Sequence, residues 1–410
     1  IPPGTGERGM DGLSAGLRGT VERVLHDKTS AARQEEMRNN EPGERKDRRK
    51  DGEMRKKQLL QAVVFLAIFF IILTHLTYII RTSGDLKARF AGFYAEPDNT
   101  IDAVLIGSSP VYPYYAAPKI WADYGITTYP LSTNNQRPKA AKYLIQEAEK
   151  TQNPSLYIFE MRMYLASDED LTQNMAFTRG VTDNMKYSWN RIQTINALVD
   201  DVSERYTYYF DIFKYHSNWK TIVMPSQLAA FRYENEHPLK GHFISDEIGP
   251  SEMADYSWVT ERQPIPADQE EVLRDLLEYL KEHEMNALFI VSPNTMTYEK
   301  QAQYNYIADI IEPYGYNFLN FNDYYEEIGV DFATDFYDYG GHANAIGAEK
   351  YTAFLGKYLD ENYEFADKRG TAGYESWDES YERWSQELEE AKATIYERIE
   401  NKDFKVIEEE

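Results

Sequence analysis

The chain has 410 residues, carries 44 Lys and Arg against 68 Asp and Glu for a formal net charge of -24, and contains no cysteine. That length accommodates one large domain or two small ones. The lack of cysteine excludes a disulfide framework and a thiolate metal site, and the acidic balance argues against nucleic-acid binding, which needs a basic surface.

Charge is unevenly spread along the chain. Residues 1–57 hold 14 basic and 11 acidic side chains, net +3, which leaves 30 and 57, net -27, for residues 58–410. Residues 1–57 read as a disordered basic cytoplasmic tail, with few large apolar side chains. Met54-Arg55-Lys56-Lys57 stands directly before an apolar run, as at the start of a membrane protein. Residues 1–53 are therefore expected to be an upstream extension.

A transmembrane helix is predicted over 58–80. Ala62 to Leu73 is uninterrupted apolar sequence, and Thr74 to Ile80 completes the ~20 residues that a bilayer requires. Arg45, Lys46, Arg48, Arg49, Lys50, Arg55, Lys56 and Lys57 crowd its N-terminal side. The positive-inside rule places that side in the cytoplasm and everything after Ile80 outside, in a single-pass cell-membrane protein. Tyr78-Ile79-Ile80-Arg81 is too bulky for a signal-peptide cleavage site. His75 falls at the outer interface, with no function assigned to it.

After a linker over 81–100, residues 101–365 alternate apolar runs with amphipathic stretches, the pattern of an α/β domain with a parallel sheet. Strands are predicted at 103–107, 127–131, 156–159, 287–291 and 317–321. Helices are predicted at 117–124, 137–150, 268–284, 297–313 and 344–363. The interval 164–260 breaks the rhythm and reads as a helical insertion over the strand ends, where such segments form lids. Within it, His216 and Trp219 have a lid role and a packing role equally open. Residues 366–410 form an acidic tail in which Trp377, Tyr381, Trp384, Leu388, Ala391 and Ile395 recur at helical spacing.

The first stretch with chemical content is Ala103-Val104-Leu105-Ile106-Gly107-Ser108-Ser109-Pro110. A buried strand ends in a glycine, two hydroxyls and a proline suited to the first turn of a helix. Ser109 is expected at the carboxyl edge of the sheet, where ligands bind in open α/β folds, beside a helix N-terminus. A helix-capping serine is the plain alternative. The second stretch runs from Asp335 through Asp338, His342 and Asn344 to Thr352, and opens the last helix. An Asp–His pair there, with a strand-end serine, suits a triad in which Asp338 orients His342 and His342 takes the proton of Ser109. Glu160 and Arg162 lie two apart at a strand end and face one side, as a bridged pair would. No Walker loop, dinucleotide fingerprint or His-x-x-x-His motif occurs, so no cofactor or metal is expected.

Gly107-Ser108-Ser109 and Asp338…His342-Ala343-Asn344…Gly347-Ala348 resemble SGNH/GDSL-type hydrolases. More narrowly, they resemble the membrane-anchored branch that includes the D-alanyl-lipoteichoic acid biosynthesis protein and the alginate O-acetylation proteins. The resemblance covers about residues 100–360. It implies a flavodoxin-like three-layer α/β fold, with Ser109 as nucleophile, His342 as base and Asp338 as its orienting acid. It also implies a serine esterase or O-acyltransferase acting on envelope or exported polysaccharide, a polysaccharide or teichoic-acid-like acceptor, and a multi-spanning O-acyltransferase partner. Ser108 replaces the family's Asp, and three residues instead of two separate Asp338 from His342. The family's oxyanion-hole glycine block reads Leu131-Ser132-Thr133-Asn134-Asn135, and its asparagine block reads Phe159-Glu160-Met161-Arg162. Donors remain open among the Ser109 N–H, the backbone near Ser132, Asn134 and Arg162. With those blocks altered, a degenerate envelope protein that binds a polymer or a membrane O-acyltransferase is the alternative.

Overall fold

A computed structural model describes residues 28–35, 37, 42–81, 84–222 and 224–405. Much of the expected tail over 1–57 lies outside the described residues. The chain divides at Leu73/Thr74 into two units.

Helix α1 runs Pro42–Ile80. Its stretch Arg49–Ile80, 32 residues, is long and apolar enough to cross a membrane. Phe65, Ile68, Ile71 and Ile72 stand exposed on it, a side-chain distribution that water does not reward. The helix starts upstream of the apolar run because the preceding Arg, Lys and Glu residues are good helix formers.

The second unit is built on five parallel strands in the order β2-β1-β3-β4-β5. They are β1 Ala103–Gly107, β2 Thr128–Ser132, β3 Leu156–Glu160, β4 Ala287–Val291 and β5 Asn317–Asn320. Alternation along each central strand sends side chains to two cores. Val104, Ile106, Tyr157, Phe159, Phe289 and Val291 join one core. Ala103, Leu105, Leu156, Ile158, Leu288 and Ile290 join the other. The first core is closed by α2 (Asp85–Phe93), α4 (Ala141–Ala148), α7 (Ala267–Glu282) and α8 (Tyr298–Ile311). The second is closed by α3 (Ala117–Tyr124) and α9 (Ala345–Asn362). Burial on both faces explains why the strands read as continuous apolar runs.

The insertion between β3 and α7 consists of short helices, among them α5 (Met175–Thr182) and α6 (Trp189–Leu198). Buried ion pairs knit it, with Arg191 2.9 Å from Asp211 and Arg179 3.1 Å from Asp183. The acidic tail forms α10 (Glu375–Asn401), which buries Trp377, Trp384, Leu388, Ala391 and Ile395. Trp121 of α3 donates its indole N–H to Asp378 at 2.8 Å and lies 5.9 Å from the Trp377 ring.

One local expectation is corrected and one refined. No helix follows Pro110 directly: residues 108–114 form successive turns, and α3 begins at Ala117 with a proline in its first turn. The turns carry Tyr114 and Tyr115 into the core, where they are 0% and 2% exposed, and a helix starting at Pro110 would not deliver both. The helix expected at 137–150 opens as a tight turn over Pro138–Ala140, with the proline at its first position, and continues directly as α4.

Candidate active site

The sheet order reverses direction about β1, which has β2 on one side and β3 on the other. Crevices at the carboxyl ends of strands at such a point are where α/β folds hold ligands. Gly107 closes β1 there. A Cβ on it would meet the Glu160 Cβ at 2.6 Å, so only glycine lets β1 and β3 end side by side. Two residues on, Ser109 sits half-buried in the turn that Val111 N–H closes on Ser108 O at 3.1 Å. Its neighbourhood is therefore a turn and not the start of a helix at Pro110.

His342 arrives from the loop before α9. Phe336 and Ala343 form an antiparallel bridge, and Tyr337 N–H donates to His342 O at 3.0 Å. Between them Tyr339 and Gly340 both take positive φ, 62° and 92°. This pair of left-handed residues folds Asp338 back onto His342. The Asp338 carboxylate receives the His342 backbone N–H through Oδ1 and lies 2.5 Å from His342 Nδ1 through Oδ2. Gly341 is needed beside it, since a Cβ there would come within 2.9 Å of Asp338 Oδ1. On the other side of the ring, His342 Nε2 is 2.6 Å from Ser109 Oγ, 233 positions earlier in the chain. Asn344 then caps α9, its Oδ1 accepting from the N–H groups of Ile346 and Gly347 at 3.0 and 3.3 Å.

The structure thus brings together Ser109, His342 and Asp338, within hydrogen-bonding reach for proton transfer from a hydroxyl to an imidazole. The remaining candidates fare differently. Ser132 is fully buried, its hydroxyl without a partner among the described residues and its carbonyl taken by Arg89 Nη1 at 3.2 Å. Asn134 is exposed, and Tyr112 O–H donates to its Oδ1 at 2.6 Å. That bond ties Asn134 to the turn over 108–114 that carries Ser109.

Arg162 is spent on holding backbone. Its Nη1 donates to Gly341 O at 2.6 Å, and its Nη2 to Pro293 O and Tyr114 Oη at 3.2 Å each. The expected bridge to Glu160 is long, 3.9 Å from Nε to Oε1. Burial works against the charge of Arg162. The Tyr114 phenol and the Glu160 carboxylate outweigh it, so the guanidinium is held charged more firmly than usual. Burial pushes the Glu160 carboxyl up, with Arg162 opposing, and pushes the Tyr114 phenol up to about 12. Tyr114 Oη lies 2.9 Å from both Gly341 O and Pro293 O. Arg162 and Tyr114 together therefore pin the loop that presents His342.

Sequence reasoning missed three contributors. Tyr114 sits in a run of tyrosines that gave no hint of which one turns inward. The Tyr337 ring stacks on His342 at 5.4 Å and 10°. Lys405 crosses the same loop from beyond α10: Tyr339 O–H donates to its carbonyl at 2.6 Å, and its ammonium lies 4.6 Å from the Tyr337 ring centre. No signal in the tail predicted that return. His216 is exposed with Nδ1 3.2 Å from Phe213 O, and Trp219 is exposed too, so neither has the packing role that was left open.

Compared with known proteins, the chain matches no family model and no curated protein sequence.

Proposed function

We propose that the chain is a membrane-anchored serine esterase or O-acyltransferase of SGNH type, acting outside the cell on envelope or exported polysaccharide. The observation that carries the reading is the 2.6 Å approach of Ser109 Oγ to His342 Nε2, with Asp338 on the other ring nitrogen. The strand order β2-β1-β3-β4-β5 supports the finer fold assignment, since it is the flavodoxin-like order with its ligand crevice at β1 and β3.

In this reading His342 removes the Ser109 proton as Oγ attacks the ester carbonyl. The tetrahedral intermediate collapses to an acyl-serine, and the leaving alcohol recovers the proton from His342. Water or a sugar hydroxyl, deprotonated by His342 in turn, then attacks the acyl-serine and releases acid or new ester. The Ser109 N–H, the backbone near Ser132 and the Asn134 amide remain as candidate oxyanion donors, because Arg162 is engaged on Gly341 O. Anchoring by α1, with the basic flank in the cytoplasm, holds this chemistry to polymer at the cell surface, where a multi-spanning partner would supply an acyl donor.

The test is to present the purified chain with acetylated and unacetylated oligosaccharides and follow acyl release or gain by mass spectrometry. The reading requires turnover that Ser109→Ala abolishes. The engagement of Arg162 favours a second reading, a non-catalytic envelope protein that binds polymer. It predicts saturable oligosaccharide binding with no acyl change, unaltered in Ser109→Ala.

A further inference from the structure

We infer that the helical turns from Ile212 to Lys220 lie on the bilayer surface, with Phe213 and Trp219 in the headgroup zone beside the point where α1 emerges. The inference rests on the reading that Arg49–Ile80 crosses a membrane.

The argument starts from what holds these turns in place. Asn218 Nδ2 donates to Ile80 O at 3.2 Å, at the last residue of α1. Arg81 Nε donates to Asp211 Oδ2 at 2.7 Å, and Gln227 Nε2 to Arg81 O at 3.2 Å. The neighbouring segment reaches further down the helix: the Phe231 ring lies 4.6 Å from the ring of His75, and Tyr78 O–H donates to Ala230 O at 3.4 Å. Five residues of α-helix rise about 7.5 Å. With the outer interface at His75, the Phe231 ring lies at its level, and Ile80 with Asn218 on its carbonyl stands about 7.5 Å above it, within the headgroup layer.

The side chains left facing outward suit that position. Phe213 is 58% exposed and Trp219 68% exposed, and Tyr206 packs edge-on against Phe213 at 5.4 Å. Large apolar side chains this exposed are unusual on a surface that meets only water. Tryptophan and tyrosine concentrate at membrane interfaces, where an apolar ring and a polar edge are both satisfied. From Ile212 to Lys220 the charged side chains are Lys214 and Lys220, both exposed, within a body of net charge -27 over residues 58–410. Asp211, just before them, is buried between Arg81 and Arg191 and presents no charge outward. Two exposed rings, each followed by a lysine, match the upper acyl chains and phosphates of a lipid leaflet.

The test uses the full chain reconstituted into phosphatidylcholine–phosphatidylglycerol vesicles, with lipids brominated near the top of the acyl chain as quenchers. The protein has 6 tryptophans and none lies in α1, so quenching of Trp219 alone removes about one sixth of the emission. Trp219→Phe should abolish that loss, whereas Trp258→Phe, at an exposed position elsewhere, should leave it. Lys214→Glu with Lys220→Glu should at least halve it. Emission that brominated lipids leave untouched, or quenching that survives Trp219→Phe, would overturn the inference and leave the aromatic face to a protein partner. Flotation with the vesicles and resistance to alkaline extraction test the spanning helix separately. A chain that fails both overturns helix and docking together, and one that passes both with Trp219 unquenched overturns docking alone.

Discussion

Arg162 holds three loops at once, so its removal should damage stability and reactivity in separable ways. Arg162→Met takes away charge-assisted bonds to Gly341 O and Pro293 O and leaves the Glu160 carboxylate, 4% exposed, without its nearest cation. Hydrogen bonds to charged groups contribute about 1.5–3 kcal/mol each, and breaking a buried ion pair on one side costs about 3–5 kcal/mol. The long Nε–Oε1 separation puts the ion-pair share at the low end. A net loss of about 3–5 kcal/mol is expected for Arg162→Met in chemical denaturation of the detergent-solubilised chain. Glu160→Gln added to Arg162→Met should restore about 1–2 kcal/mol, because it removes a charge that burial already disfavours. Fluorophosphonate labelling of Ser109, run well below the denaturation midpoint, should slow at least tenfold as the His342 loop loosens, and Arg162→Lys should recover part of that rate. A stability loss under 1 kcal/mol, or a double variant no more stable than Arg162→Met, would refute the view of Arg162 as a charged clamp coupled to Glu160.

Other outcomes follow from the same geometry. Asp338→Asn should lower the labelling rate of Ser109 by roughly three to four orders of magnitude while leaving the melting temperature within a few degrees, since the loss lies in the imidazole's orientation and charge. Gly107→Ala should cost about 1–3 kcal/mol in denaturation, because its Cβ would stand 2.6 Å from the Glu160 Cβ. His242 is buried, and burial pulls its pKa down to about 3, with the Tyr112 backbone opposing. The unfolded chain therefore binds a proton near pH 6.5 that the folded chain refuses, and stability falls as pH drops from 6.5 toward 3 by about 1.4 kcal/mol per unit at most. His242→Phe should flatten that acid limb, which melting curves between pH 4 and 7 will show. A slope unchanged by the substitution would exclude His242 as its source.

The sheet was readable because its strands are buried on both faces, so 103–107 and 287–291 stand out as unbroken apolar runs. The helix at 117–124 was equally plain from its proline in the first turn and Gly125 after its end, a residue in the left-handed conformation. The partnership of Ser109 with His342 could be inferred because both sit beside such readable elements, one after β1 and one before α9. What the sequence concealed depends on contacts between distant segments. Nothing local in Tyr112-Pro113-Tyr114-Tyr115 says that the second tyrosine points at the His342 loop. Nothing in Asp338-Tyr339-Gly340-Gly341-His342 says that two left-handed residues fold the aspartate back onto the histidine. The Glu160–Arg162 bridge is present, though long at 3.9 Å, and what it concealed has a related cause. Residues two apart on a strand do share a face, but Arg162 lies just past the strand end, where its side chain reaches across to other loops.

The most direct test of the central claim is active-site labelling of the intact chain with a fluorophosphonate, followed by peptide mapping. The account predicts a single adduct on Ser109 that is absent in Ser109→Ala and strongly slowed in His342→Ala, both variants retaining the wild-type melting profile. Equal labelling of wild type and Ser109→Ala, or no adduct in a folded wild-type chain, would contradict it.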